Sequence, residues 1–170
     1  GESDAQRLVS AHIRLGPKHT SNYVTLPKDA LEAAFHCIDK ALEPPARVLF
    51  LATDSPEIRL EAQRRYGSRA IFQNVPVAHT GEQHGIRGAP AVDDNGLPRS
   101  ECAVAGAMVD WWMLAQASIA ILTDASSFGY SALALSLYNG TLPVTIGKST
   151  RFGECPRTVW EGHRCHGRSC

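Results

Sequence analysis

Residues 103–140 read AVAGAMVDWWMLAQASIAILTDASSFGYSALALSLYNG, and the architecture follows from how this stretch is divided. The stretch divides into a helix, a buried strand and a tight turn that opens a second helix. Met108, Trp111, Trp112, Leu114 and Ala115 mark the first helix, with Asp110 as its one acid, and core packing is the default expectation for both tryptophans. Ser118 to Leu122 is a strand, apolar except for Ser118. The turn is Thr123-Asp124-Ala125-Ser126-Ser127, and Phe128, Leu133, Leu135 and Leu137 belong to the next helix. A strand that hands small hydroxyl residues to a helix N-terminus makes an anion site, because free backbone N–H groups and the positive end of the helix dipole converge there. In open α/β sheets ligands bind at the carboxyl ends of strands, where this turn lies. The plainer alternative is that Ser126 or Ser127 only caps the helix.

Upstream, Arg7 to Ile13 predicts a first strand, ended by Gly16-Pro17. His12 and Arg14 alternate onto one side of it, and an Arg at a strand's carboxyl end suits a diphosphate through two charge-assisted hydrogen bonds. Its alternative is an ordinary surface ion pair. Leu26-Pro27 opens a helix with Pro27 at the first helical position, and Leu31, Ala34, Phe35, Ile38 and Leu42 form its apolar stripe. Cys37 sits beside that stripe as a packed residue. Pro44-Pro45 ends the helix.

Arg47 to Ala52 is a near-continuous apolar run, the pattern of a strand covered on both faces. It leads into Thr53-Asp54-Ser55-Pro56, where Ser55 or Asp54 caps a helix with Ile58, Ala62 and Tyr66 on its buried side. Asp54 is read first as a cap and second as a ligand contact from a strand end. Ala70 to Asn74 and Leu142 to Ile146 are short strands. Residues 75–102 lack periodicity, are long for a loop, and carry His79, His84 and Arg87 without metal-ligand spacing. The order of elements predicts an α/β domain over 1–146, a Rossmann-like parallel sheet with helices on both faces, followed by a Cys-rich tail over 147–170.

Composition narrows the function. The 170 residues carry 17 Lys plus Arg and 17 Asp plus Glu, which argues against nucleic-acid binding through a broad basic surface. No run reaches the roughly 18 apolar residues of a membrane span. The chain begins at Gly1 without a leader-like run and is read as a mature form or a piece of a longer protein. In the tail, Cys155, Cys165 and Cys170 stand with His163 and His166. Their spacing lacks the paired Cys-x2-Cys of common zinc modules, so disulfides are favoured and no metal is expected. One of the five cysteines is left over, Cys37 or Cys102. Asn139-Gly140-Thr141 is a glycosylation sequon, which fits the secretory route.

Four stretches taken together resemble a family: HIRLG, LATDSPE, VDWWMLAQAS and TDASSFGYSAL, in that order. They are similar to the donor-binding, carboxyl-terminal half of the fucosyltransferases that include protein O-fucosyltransferases, α-1,6-fucosyltransferases and nodulation fucosyltransferases. The resemblance covers residues 7 to 146. It implies one half of a GT-B fold and an inverting transfer from GDP-fucose, with the GDP-sugar as substrate and no cofactor or required metal. It further implies that Arg14, the one catalytic candidate, holds the donor diphosphate and that His12 lies against the nucleotide. Asp110 would read the guanosine, and Ser126, Ser127 and Phe128 would form the phosphate-gripping turn. Asp54 matches an acid without a settled role.

The chain departs from the family pattern in three places. Gly16-Pro17-Lys18 follows the His-x-Arg pair where some members have an Asp, Ser118 replaces an acid, and the amino-terminal acceptor half is missing. Two functions are therefore carried forward. One is the GDP-fucose-binding half of a fucosyltransferase-like enzyme, completed by an acceptor half in the same or another chain and acting on a protein or glycan. The other is a non-catalytic fucosyltransferase-like module of a larger extracellular or luminal assembly. Either belongs in the Golgi or ER lumen or outside the cell.

Overall fold

Five parallel strands form one sheet in the order β3-β2-β1-β4-β5. The computed structural model describes residues 8–15, 26–73, 99–124, 126–136 and 140–156, with side chains of the third helix from Val104 onward. The strands are β1 (Leu8–Ile13), β2 (Val48–Thr53), β3 (Ala70–Ile71), β4 (Ile119–Thr123) and β5 (Leu142–Ile146). The helices are α1 (Lys28–Ala41), α2 (Pro56–Tyr66), α3 (Arg99–Ala115) and α4 (Ser127–Ser136). A short 3₁₀ turn, Gly67–Arg69, links α2 to β3.

Each element follows from its residues. β1 and β2 are apolar on both faces because both faces are covered. On one face Val9, Ala11 and Ile13 pack with Leu49 and Leu51, under Ala34, Phe35 and Ile38 of α1 and Ile58, Ala62 and Tyr66 of α2. On the other, Phe50 and Ala52 meet Leu114 of α3 and Ala132 of α4, while Ala120 and Leu122 meet Leu133. Ser10 is fully buried there and satisfies its hydroxyl by donating to Leu114 C=O at 3.3 Å.

Pro27 lies one position earlier than the sequence suggested: it is the N-cap, its carbonyl accepts from Leu31 N–H at 3.0 Å, and α1 starts at Lys28. The α2 cap is Ser55, whose hydroxyl accepts from Ile58 N–H at 3.4 Å and donates to Glu57 Oε2 at 2.7 Å. At the other end Gly67 takes φ 56°, a left-handed conformation that suits glycine. The α3 expectation needs correcting in part. Leu114 and Ala115 are buried, but Met108 is 58% exposed and Trp112 55% exposed. Trp111 stays half-buried, with Nε1 donating to Ser131 Oγ at 2.9 Å. Two adjacent residues on a helix differ by about 100° in direction, and here Trp111 falls at the margin of the buried stripe while Trp112 falls outside it.

Cys37 and Cys155 form a disulfide with their Cα atoms 5.5 Å apart. Cys37 is therefore more than a packed residue, and Cys155 pairs with α1 rather than with a tail neighbour. The bond closes a span of 118 residues and ties the segment after β5 to the α1 face. Thr150 holds the start of that segment, its hydroxyl accepting from Gly147 N–H at 2.9 Å. Cys165, Cys170, Asn139 and the histidines of the 75–102 stretch lie outside the described residues, as does the side chain of Cys102. Among the described residues no helix is long and apolar enough to cross a membrane.

Candidate functional site at the β1–β4 switch point

The strand order places the site. From β1 the chain steps outward to β2 and β3, then returns past β1 to build β4 and β5 on its other side. The order therefore reverses between β1 and β4. In doubly wound sheets such a reversal is where ligands find a crevice outside the carboxyl ends of the two strands, because their following segments leave toward opposite faces. His12 and Arg14 come from the end of β1, Asp54 from the end of β2, Thr123 and Asp124 from the end of β4, and Ser126 to Phe128 from the start of α4.

His12 is buried, 7% exposed, on the α3–α4 side of the sheet. Its ring stands 5.4 Å from the Phe128 ring, tilted by 42°. Gly129 lets the helix come this close: a Cβ there would lie 3.1 Å from His12 Nδ1, tighter than a side chain tolerates without movement. Burial pushes the His12 pKa down to about 4; Asp54 opposes that shift and the Arg14 charge adds to it. The imidazole is thus neutral at physiological pH. Its Nδ1 has no hydrogen-bond partner among the described residues.

Ser126 precedes α4 in the N-cap position, and its carbonyl accepts from Tyr130 N–H at 3.0 Å. It is 3% exposed. The hydroxyl does not cap the helix: Ser126 Oγ is buried without a partner among the described residues. Native interiors rarely leave such an atom unsatisfied, and each one calls for an explanation. Two of them, His12 Nδ1 and Ser126 Oγ, stand at the entrance of the same helix. Ser127, the first residue of α4, is exposed, and Phe128 is half-buried against the core that includes Phe50 and Ala52. Phe128 thus serves as the wall behind His12.

Arg14 is half-buried just past β1. Its backbone is fixed from two sides. Arg14 N–H donates to Thr123 Oγ1 at 3.0 Å, and the following Leu15 N–H donates to Asp54 Oδ1 at 2.9 Å. Asp54 is thus not the α2 cap; Ser55 takes that role, and the Asp54 carboxylate reaches across to the end of β1. Asp124 N–H donates to Ile146 C=O at 2.8 Å, and its carboxylate accepts from Tyr130 Oη at 2.7 Å.

Asp110 keeps different company. On α3 it accepts from Gln73 Nε2 at 2.7 Å, and Gln73, just beyond β3, also donates to Gly106 C=O at 2.6 Å. Burial pushes the Asp110 pKa up, while the Gln73 hydrogen bond and the Arg59 charge pull it down. Its hydrogen-bond partner comes from just beyond β3 and not from the grouping of His12, Arg14, Asp54, Ser126 and Phe128. Among the described residues no three His, Cys, Asp or Glu side chains come together to hold a metal ion.

Sequence reasoning missed Thr123 and Gly129. Thr123 closed an apolar strand run and looked like a turn residue. Gly129 stood inside a helical pattern, where an interior glycine is itself a signal of close approach.

The fold and site define a Rossmann-like α/β domain with polar side chains gathered at its switch point. No family model matches the chain, and no curated protein matches it. It is similar to a solved structure of NodZ alpha-1,6-fucosyltransferase co-crystallised with GDP, at 18% identity and a TM-score of 0.48, over 78% of this chain and 36% of that one. A second similar structure is the fucosyltransferase NodZ from Bradyrhizobium, at 18% identity and a TM-score of 0.46, with the same coverage. The chain thus corresponds to 36% of the length of either protein.

Proposed function

We propose that the β1–β4 crevice binds the diphosphate of a GDP-sugar, and that the chain is the donor-binding half of a fucosyltransferase-like glycosyltransferase of GT-B fold. The observation that carries this reading is the pair of buried, unpartnered polar atoms, His12 Nδ1 and Ser126 Oγ, at the N-terminus of α4 and beside Arg14. A phosphate there receives the serine hydroxyl, the free N–H groups of the first helical turn and the guanidinium. A neutral imidazole offers one donor and one lone pair, so His12 orients the ligand without adding charge.

In an inverting transfer the acceptor attacks the sugar carbon opposite the diphosphate. The C–O bond breaks with its electrons, and negative charge grows on the departing GDP. Arg14 and the α4 dipole stabilise that charge where it develops, which removes the need for a metal ion. In this reading Asp110, oriented by Gln73, accepts hydrogen bonds from the guanine edge, and GDP-fucose is the donor. The acceptor, a protein or glycan, binds between this half and a second one. The Cys37–Cys155 disulfide supports a setting in the secretory pathway or outside the cell.

Calorimetric titration of the purified chain with GDP, GDP-fucose and UDP tests the reading. It calls for binding by both guanine ligands, weaker binding of UDP, and binding weakened or abolished in Arg14→Ala with the circular dichroism spectrum unchanged. Equal affinity for GDP and UDP, or equal affinity in wild type and Arg14→Ala, would sink it.

A further inference from the structure

Past Leu122, its last paired residue opposite β1, the main chain of β4 turns toward β5, where Asp124 N–H finds Ile146 C=O. The final main-chain groups of β1 are nevertheless bonded on that side. Thr123 Oγ1 donates to His12 C=O at 2.9 Å and accepts from Arg14 N–H at 3.0 Å. One hydroxyl thus stands in for both the donor and the acceptor that a continuing strand would have offered. It is 4% exposed, so water does not replace it freely.

We infer that Thr123 is a positioning residue for Arg14: its two hydrogen bonds hold the backbone on both sides of Ile13 in extended register and so fix the direction in which the Arg14 guanidinium enters the crevice. The inference rests on the reading that Arg14 contacts a phosphate. A threonine suits the task because its β-branch restricts χ1, so the hydroxyl is held in place without further contacts. Asp54 completes the clasp from the β2 side through Leu15 N–H. Arg14 is thereby set at the sheet edge by side chains from the two strands that flank β1.

The test is calorimetric titration with inorganic pyrophosphate of the wild type and the variants Thr123→Val, Thr123→Ser, Arg14→Ala and Arg14→Ala/Thr123→Val. Valine keeps the shape and removes both hydrogen bonds, and leaving two buried backbone groups unsatisfied weakens pyrophosphate binding roughly tenfold. Serine keeps the hydroxyl and holds affinity close to wild type. In the Arg14→Ala background Thr123→Val has no further effect, because the residue it positions is gone.

Wild-type affinity in Thr123→Val, or equal loss in the Ser and Val variants, would overturn the inference. So would a Val effect that persists in full without Arg14. If Thr123→Val fails to fold, Thr123→Cys carries the same comparison, since a thiol is a weak donor and acceptor. A wild-type chain that binds no pyrophosphate would remove the phosphate reading and this inference together. Binding that Arg14→Ala weakens and Thr123→Val leaves intact would remove this inference alone.

Discussion

Removing the Cys37–Cys155 disulfide separates what this link contributes from what the sheet supplies. The bond closes a span of 118 residues, which takes in α1 through β5. On the loop-entropy model a closure of that size lowers the entropy of the unfolded chain by roughly 16 cal/mol/K, or about 5 kcal/mol at 25 °C. Residual structure in the unfolded chain reduces the effect, so the double variant Cys37→Ala/Cys155→Ala is expected to lose about 3–5 kcal/mol.

Alanine suits Cys37, which is 3% exposed within the α1 core, because it leaves no buried polar atom. With 170 residues unfolding, that loss corresponds to a fall of about 10 °C in Tm. Urea unfolding followed by tryptophan fluorescence reads it, with peptide mapping under non-reducing conditions to assign the bond. Each single variant should lose nearly as much as the double, since either breaks the link. A double variant within about 1 kcal/mol of the wild type would refute the loop-closure argument. A map joining Cys155 to Cys165 or Cys170 would refute the pairing itself.

Three further outcomes are expected. Because the His12 pKa is lowered in the folded state to about 4 from 6.5, the unfolded state binds the extra proton between those values. Stability is therefore full above pH 6.5 and falls as pH drops toward 4, by roughly 3 kcal/mol from this group. Urea unfolding of wild type and His12→Gln from pH 4 to 8 should show this acid loss shrinking in the variant, and parallel curves would reject it. Gly129→Ala sets a helix-propensity gain of about 1 kcal/mol against the 3.1 Å approach to His12 Nδ1. Thermal unfolding should show little net change while nucleotide binding weakens, and a clear rise in Tm with binding intact would mean that His12 yields freely. Finally, Trp112→Gln should alter stability by less than about 0.5 kcal/mol, whereas Leu114→Ala should lose about 2–5 kcal/mol; urea midpoints compare the two directly, and equal effects would contradict their opposite burial.

The elements of this fold were legible because their information is local. Apolar runs such as VLFLAT, the α1 stripe and the Ser55-Pro56 start each encode one strand or helix within a few residues of chain. His12, Arg14 and Ser126 could be named because strands of a parallel sheet deliver the residues that follow them to one edge, whereas Phe128 was named only through the family resemblance. What the sequence left open were questions of direction and pairing. Ser126 and Asp54 both looked like caps, but only the structure shows Ser55 capping α2, Asp54 bonded to Leu15 N–H, and Ser126 Oγ without a partner among the described residues.

The burial of Trp111 and Trp112 diverged because neighbours on a helix face different ways, and which way depends on where α3 lies against the sheet. The pairing of Cys37 with Cys155 required two segments 118 residues apart to meet. Local pattern was enough to specify a βα succession with polar residues at strand ends. That β4 returns to pair with β1, so that the order reverses there and Thr123 meets Arg14, came from the folded chain alone. Strand order is set by packing among residues far apart in the chain, and no local pattern carries that information.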